Sequence, residues 1–412
     1  MHPLSIDSPS LSGDLSGKTL QFMNAQCLRG KHLVIDHVWV KNRKIINAAD
    51  VFYHEQCVAD IQIDCKGLIL SPGFIDVQIN GGFGFDFSQA LSSNSEYEQG
   101  VEMVSHNLLS QGVTSYAPTL ITSSSEIYRK VLPLLFKRDG GIGGAGVLGA
   151  HLEGPFICKD KKGCHPSEFV CGFGSDPENT LKNVYGSFEN IAIVTLAPEL
   201  PGCDIAIRTL VKNNIVVSLG HSSATLKHGE AAIKAGASCI THLFNAMAPY
   251  HHRGPGLIGL LASNEISGIN YGMISDGIHS DDSALRIAYR TCPDGLILVT
   301  DAIAALGMCD GEHRLGAQTV VVEGLHAFLK GTQTTAGSVA SMPFCVKHFI
   351  SATNASVGEA LYAATKQPAQ LLSLSNKGNL DVGSDADFVL LNDDLQVQAT
   401  FIGGQRVFSS SH

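Results

Sequence analysis

A chain of 412 residues exceeds one average domain and suits a barrel of about 250 residues with an appended module. With 44% hydrophobic and 16% charged residues it buries many elements, which excludes a largely disordered protein. Its formal charge of −10 comes from scattered carboxylates with no Lys/Arg stripe, which excludes nucleic acid as a partner and means that any phosphate it binds should be a small one.

Residues 1–17 are Ser-rich, carry Asp7 and Asp14, and lack both a basic start and an apolar stretch. They are expected to form a disordered tail and not a secretory signal. No apolar run approaches the roughly 20 residues that span a bilayer, so no membrane association is expected. Eleven cysteines without close C-x-x-C pairs fit reduced thiols in the cytoplasm.

From residue 18 to 72 the pattern is β-like, with alternation in His32-Leu-Val-Ile-Asp-His-Val-Trp-Val40 and Asp60-Ile-Gln-Ile-Asp64. Residues 375–412 read alike, with strands joined by Gly/Asp turns around Gly383-Ser-Asp-Ala-Asp387. The two ends are expected to pair into one small β-sandwich domain.

Residues 73–374 alternate apolar strand-like runs with helix-length segments of mixed polarity, the mark of βα units. Eight strands are predicted, over 73–78, 113–117, 147–152, 191–196, 215–219, 238–243, 269–274 and 296–300. Eight closes a (β/α)8 TIM-like barrel, with a doubly wound open sheet as the competing α/β fold. The Gly141-Ile-Gly-Gly-Ala-Gly146 segment matches a dinucleotide fingerprint in letters only, because it precedes a strand instead of following one.

Placed on these strands, the polar residues collect at the C-terminal ends: Gln78 and Asn80, Glu153, His221, His242, Asp276 with His279, and Asp301. In a barrel those ends meet at one mouth. Singly, each residue has an ordinary reading, such as a hydrogen-bonded structural His or an Asp capping the next helix. Together, one carboxylate and two imidazoles make a three-ligand site for Zn²⁺ or a similar divalent ion. Asp301 is then placed as the proton carrier for hydrolysis.

At Pro72-Gly-Phe-Ile-Asp76, His151-Leu-Glu-Gly-Pro-Phe156, Gly220-His-Ser222, Thr241-His-Leu-Phe-Asn-Ala-Met247, Ser275-Asp-Gly-Ile-His279 and Leu298-Val-Thr-Asp-Ala302 the chain resembles the N-acetylglucosamine-6-phosphate deacetylases of the amidohydrolase superfamily. Many members of that superfamily carry H-x-H after the first strand and hold two metals, where this chain has Gln78-Ile79-Asn80. The resemblance implies one catalytic metal on Glu153, His221 and His242, zinc first among zinc, iron, cobalt and manganese, with Asp301 as general base and acid.

It also implies that Cys164 and His165 meet the substrate, with His165 polarising the acetyl carbonyl. A zinc knot of Cys158, Cys164, His165 and Cys171 is the rival reading, but its spacing fits no common pattern. Asn245, Ala246, Asp276, His279 and the Thr335-Ala336-Gly337 loop match positions that contact a sugar phosphate. Arg253 is the expected phosphate ligand, since a guanidinium can grip two oxygens at once. The expected assembly is a homodimer with the Arg253 loop near the neighbouring subunit.

The implied reaction is hydrolysis of N-acetyl-D-glucosamine 6-phosphate to D-glucosamine 6-phosphate and acetate. The alternatives are a related amidohydrolase acting on another N-acylated amino sugar, such as N-acetylgalactosamine 6-phosphate, and a barrel that lost catalysis and serves as a scaffold.

Overall fold

The computed structural model describes residues 3–13, 15–49, 58–89, 92–316 and 318–410. Parts of the segments expected to form a tail and a terminal β domain, at 1–2, 14, 50–57 and 411–412, lie outside the described residues.

Eight parallel strands form the barrel, with a two-residue ninth, Gly146–Val147, beside the second of them: β1 (Phe74–Ile79), β2 (Val113–Ile121), β3 (Ala150–Glu153), β4 (Ile191–Leu196), β5 (Val216–Leu219), β6 (Cys239–Ile240), β7 (Asn270–Ile274) and β8 (Leu296–Val299). The seam between β8 and β1 is stitched by a parallel bridge from Ile79 to Ala302 and by the Asp301 amide donating to the Gln78 carbonyl over 2.8 Å. Helices such as Asn94–Leu108 and Cys203–Lys212 follow the strands, and the apolar residues of both layers share one continuous core. Strands covered on both faces need no polar alternation, which is why these runs read as apolar blocks. No helix is long and apolar enough to cross a membrane among the described residues.

The terminal segments meet in a second sheet. Ile69–Pro72 pairs antiparallel with Phe388–Leu391, so the chain enters and leaves the barrel side by side. This sheet curls around Phe22, whose ring meets Phe388 and Phe401 edge-on at 4.7 and 5.0 Å. Lys377 is clamped by Asp387 and Asp385 at 2.7 and 3.0 Å, which ties the last barrel segment to the Gly383–Asp387 turn.

The expected tail is not loose. Leu4–Ser5 adds a short parallel strand beside Ile63–Asp64, Leu11 is fully buried, and Arg406 binds the Ile6 carbonyl and Ser12. Serine content suggested disorder, but Ile6 and Leu11 decide the outcome. Burying one such side chain contributes about 1.5–3 kcal/mol, enough to hold a short segment against its neighbours. A further departure is a three-stranded antiparallel sheet over Gly311–Leu315, Gln318–Glu323 and His326–Leu329, inserted after β8. Its residues Leu315, Val320 and Ala327 pack with Ile121 and Ile303 over the barrel mouth.

Candidate metal centre and substrate pocket

The C-terminal strand ends deliver four ring or carboxylate groups to one spot. Glu153 is the last residue of β3; His221 and His242 stand two residues beyond β5 and β6. Glu153 Oε1 lies 2.9 Å from His221 Nε2 and 2.8 Å from His242 Nε2, and those two nitrogens are 3.1 Å apart. His165, from the loop after β3, places its ring 4.4 Å from that of His221. Glu153, His165 and His221 also form a trio whose ligand atoms lie within 4.8 Å of one another.

His221, His242 and Asp301 all adopt positive φ, at 46°, 30° and 48°. Such backbone costs about 1–3 kcal/mol per non-glycine residue and persists only where the surroundings over-determine it. The barrel rim supplies that constraint, and the strained turns aim the side chains inward.

Hydrogen-bond direction tests whether these groups suit a cation. His221 Nδ1 sits 2.8 Å from the Lys161 carbonyl, which can only accept, so Nδ1 carries the hydrogen. A neutral imidazole held in this way aims the lone pair of Nε2 at the Glu153 carboxylate. Lone pair against carboxylate is repulsive, whereas a divalent ion between them satisfies both. Carboxylate plus imidazole is a donor set that fits zinc and its first-row neighbours.

Asp301 completes the centre from the opposite side. Asn80 Nδ2 donates to its Oδ1 over 2.8 Å, and Gln78 Nε2 stands 3.3 Å from both this oxygen and Glu153 Oε2. Burial and then the Glu153 charge push the Asp301 carboxyl up to about 6. Burial works against ionisation of Glu153 too, but the hydrogen bond and charge of His242 hold it well below the usual carboxylate range. Burial lowers His242 while the Glu153 partner raises it further, to about 8. Asp301 is thus a carboxyl of the pocket wall that can take and give a proton near neutral pH.

Glu153, His221, His242 and Asp301 line a cavity of about 240 Å³ together with Asn80, Ile121, Gly163, Cys164, His165, Asn245, Ala246, His279, Leu315, Thr335 and Gly337. That is the small-molecule scale. A hollow of about 300 Å³ in the terminal module is larger, but its wall, which includes Leu15, Lys18, Val40, Asn42, Arg43 and Gln405, gathers no His or carboxylate.

Three expected substrate residues do not line the cavity. Asp276 spends its carboxylate on the Ile278 and His279 amides and on His279 Nδ1 at 2.7 Å, so it orients His279 instead. Ala336 is fully buried in the Ile121–Leu315 cluster. Arg253 is exposed on the His251–Gly254 turn, outside the cavity lining. Sequence reasoning missed Thr122, Ile121 and Leu315. The last two are apolar residues indistinguishable from core in one sequence, and Thr122 follows an unbroken buried strand.

The amidohydrolase family model matches residues 69–407. An N-acetylglucosamine-6-phosphate deacetylase of Caenorhabditis elegans is 55% identical over 410 residues, 98% of each chain. The crystal structure of N-acetylglucosamine-6-phosphate deacetylase from Pasteurella multocida superposes with a TM-score of 0.82 at 29% identity, over 94% of this chain and 99% of that one. A variant of the Mycobacterium smegmatis enzyme, in complex with N-acetyl-D-glucosamine-6-phosphate, does so with a TM-score of 0.79 at 30% identity, over 96% and 100%. With this likeness extending over both the barrel and the terminal module, the chain belongs to the amidohydrolase family, and within it to the N-acetylglucosamine-6-phosphate deacetylases.

Proposed function

We propose that this protein hydrolyses N-acetyl-D-glucosamine 6-phosphate to D-glucosamine 6-phosphate and acetate, with one divalent metal ion per chain held by Glu153, His221 and His242. The observation that carries the reading is the convergence of both imidazole Nε2 atoms on one Glu153 oxygen, with Asp301 facing them. When bound, such an ion supplies Lewis acidity toward water and toward a carbonyl oxygen.

The chain's own groups supply the remaining work. Asp301 takes the proton of the attacking water and returns it to the departing amine, which suits a carboxyl raised to about 6. Asn80 holds Oδ1, leaving Oδ2 to face the reacting atoms. His165 donates to the acetyl oxygen as charge develops there. Cys164, Asn245, Ala246, His279, Thr335 and Gly337 surround the sugar. Arg253 reaches the phosphate of a substrate bound in the neighbouring subunit of a homodimer, which fits its exposure outside its own chain's cavity.

Zinc is the first candidate metal, with iron, cobalt and manganese accepted by the same ligands. A cytoplasmic setting is supported by the ten described cysteines, all free. The test compares acetate release from N-acetyl-D-glucosamine 6-phosphate with release from its galacto isomer and from the unphosphorylated sugar. The gluco 6-phosphate should be hydrolysed with the highest kcat/KM; equal rates on all three would remove the substrate assignment.

A further inference from the structure

The two imidazoles that flank Glu153 from the β3 and β5 loops are held by partners of opposite character. His221 Nδ1 meets a main-chain carbonyl, that of Lys161, at 2.8 Å. His165 Nδ1 meets a main-chain N–H, that of Thr122, at 3.3 Å, and the Thr122 hydroxyl at 2.9 Å. A carbonyl can only accept and an amide N–H can only donate. His221 must therefore carry its hydrogen on Nδ1, and His165 must carry a lone pair there.

We propose that Thr122 is a positioning residue that fixes His165 as the Nε2–H tautomer, so that His165 presents a hydrogen-bond donor to the pocket and cannot act as a metal ligand. Resting on the deacetylase reading, this explains how two rings 4.4 Å apart take different tasks. His221 offers a lone pair to the cation, and His165 offers a hydrogen to the acyl oxygen. Of the two trios that the geometry permits, it selects the one containing His242 and leaves out the one containing His165.

Thr122 suits the task. It stands immediately after β2, is 1% exposed, and its hydroxyl has one alternative acceptor, the Glu153 carbonyl at 3.4 Å. Were Nδ1 to carry the hydrogen, the Thr122 hydroxyl would have to accept it and turn its own hydrogen to the distant Glu153 carbonyl, and the buried Thr122 N–H would face a second donor and lose its acceptor. The hydroxyl at 2.9 Å reinforces the choice made by the amide and fixes the ring plane.

Neutron diffraction from zinc-loaded protein exchanged into D₂O tests the tautomer without reference to turnover. Deuterium is expected on Nε2 of His165 and on Nδ1 of His221. Deuterium on Nδ1 of His165, or a His165 nitrogen ligating zinc, overturns the proposal. In solution, Thr122→Val should lower kcat about 10-fold or more, the usual scale for removing a group that orients a functional His. KM and zinc content should stay unchanged, and Thr122→Ser should restore kcat. A Thr122→Val enzyme with wild-type kcat overturns the role of the hydroxyl. If wild-type protein releases no acetate, the deacetylase reading fails, and the deuterium positions still decide the role of Thr122.

Discussion

Asn80 donates its side-chain amide to Oδ1 of Asp301 over 2.8 Å, while the Asp301 main-chain N–H donates to the carbonyl of Gln78. Gln78 and Asn80 occupy the positions where the resemblance to amidohydrolases would put H-x-H, and here their amides hold the carboxyl of Asp301, the proposed proton carrier. Replacing Asn80 by Ala removes a hydrogen bond that favours the ionised carboxylate, so the Asp301 pKa should rise. A base works only when deprotonated and loses activity as pH falls through its pKa. The acidic limb of the kcat/KM profile of Asn80→Ala should therefore lie at higher pH than that of the wild type, as measured from pH 5 to 9.

Asp301→Asn keeps shape and removes the proposed proton carrier. Turnover should fall by about 10²–10⁴, the usual contribution of general acid–base catalysis, while metal content and substrate affinity persist. Calorimetry of substrate binding beside steady-state rates checks both halves, and an Asp301→Asn enzyme with wild-type turnover removes Asp301 from this role.

Asp76 is fully buried under the site, accepting from the Thr300 hydroxyl at 2.5 Å and from the Gln78 amide at 3.2 Å. Burial raises its carboxyl to about 7. An acid raised on folding is protonated in both states below its unfolded pKa, so it has no effect there. It destabilises progressively as pH climbs from about 3.8 to about 7, and fully above that. Asp76→Asn should therefore gain thermal stability relative to wild type at pH 8 and lose most of that advantage at pH 5. Tm values at both pH values decide this.

Gly337 has φ of +67°, and a Cβ there would lie 2.6 Å from Ile303 and 2.9 Å from the Asp301 carbonyl oxygen. Gly337→Ala must displace the Asp301 turn, at a cost of about 1–3 kcal/mol for the backbone alone. Both lower Tm and lower kcat are expected. A variant matching the wild type in both would show that the turn can yield.

The barrel and its metal-ligand candidates were legible because their signals are local. An apolar run marks each strand, and a polar residue just past it marks the mouth, which suffices for Glu153, His221, His242 and Asp301. What stayed hidden depends on long-range placement. Asp276 and His279 are neighbours in sequence and look equivalent, yet the 2.7 Å contact between them makes one a support and the other a wall of the pocket. Arg253 has the right chemistry, and nothing local in the sequence tells that its turn stands exposed outside the cavity. Leu11 and Ile6 were masked by serines around them, and Thr122 carries no signature until the ring of His165 is seen against it.

Acetate release from N-acetyl-D-glucosamine 6-phosphate by chelated protein, before and after adding back one divalent metal at a time, tests the central claim most directly. The expected result is no turnover after chelation, recovery with zinc or a first-row neighbour, and saturation at one ion per chain. Full activity in the metal-free protein, or recovery only at two tightly bound ions per chain, would contradict a single cation on Glu153, His221 and His242.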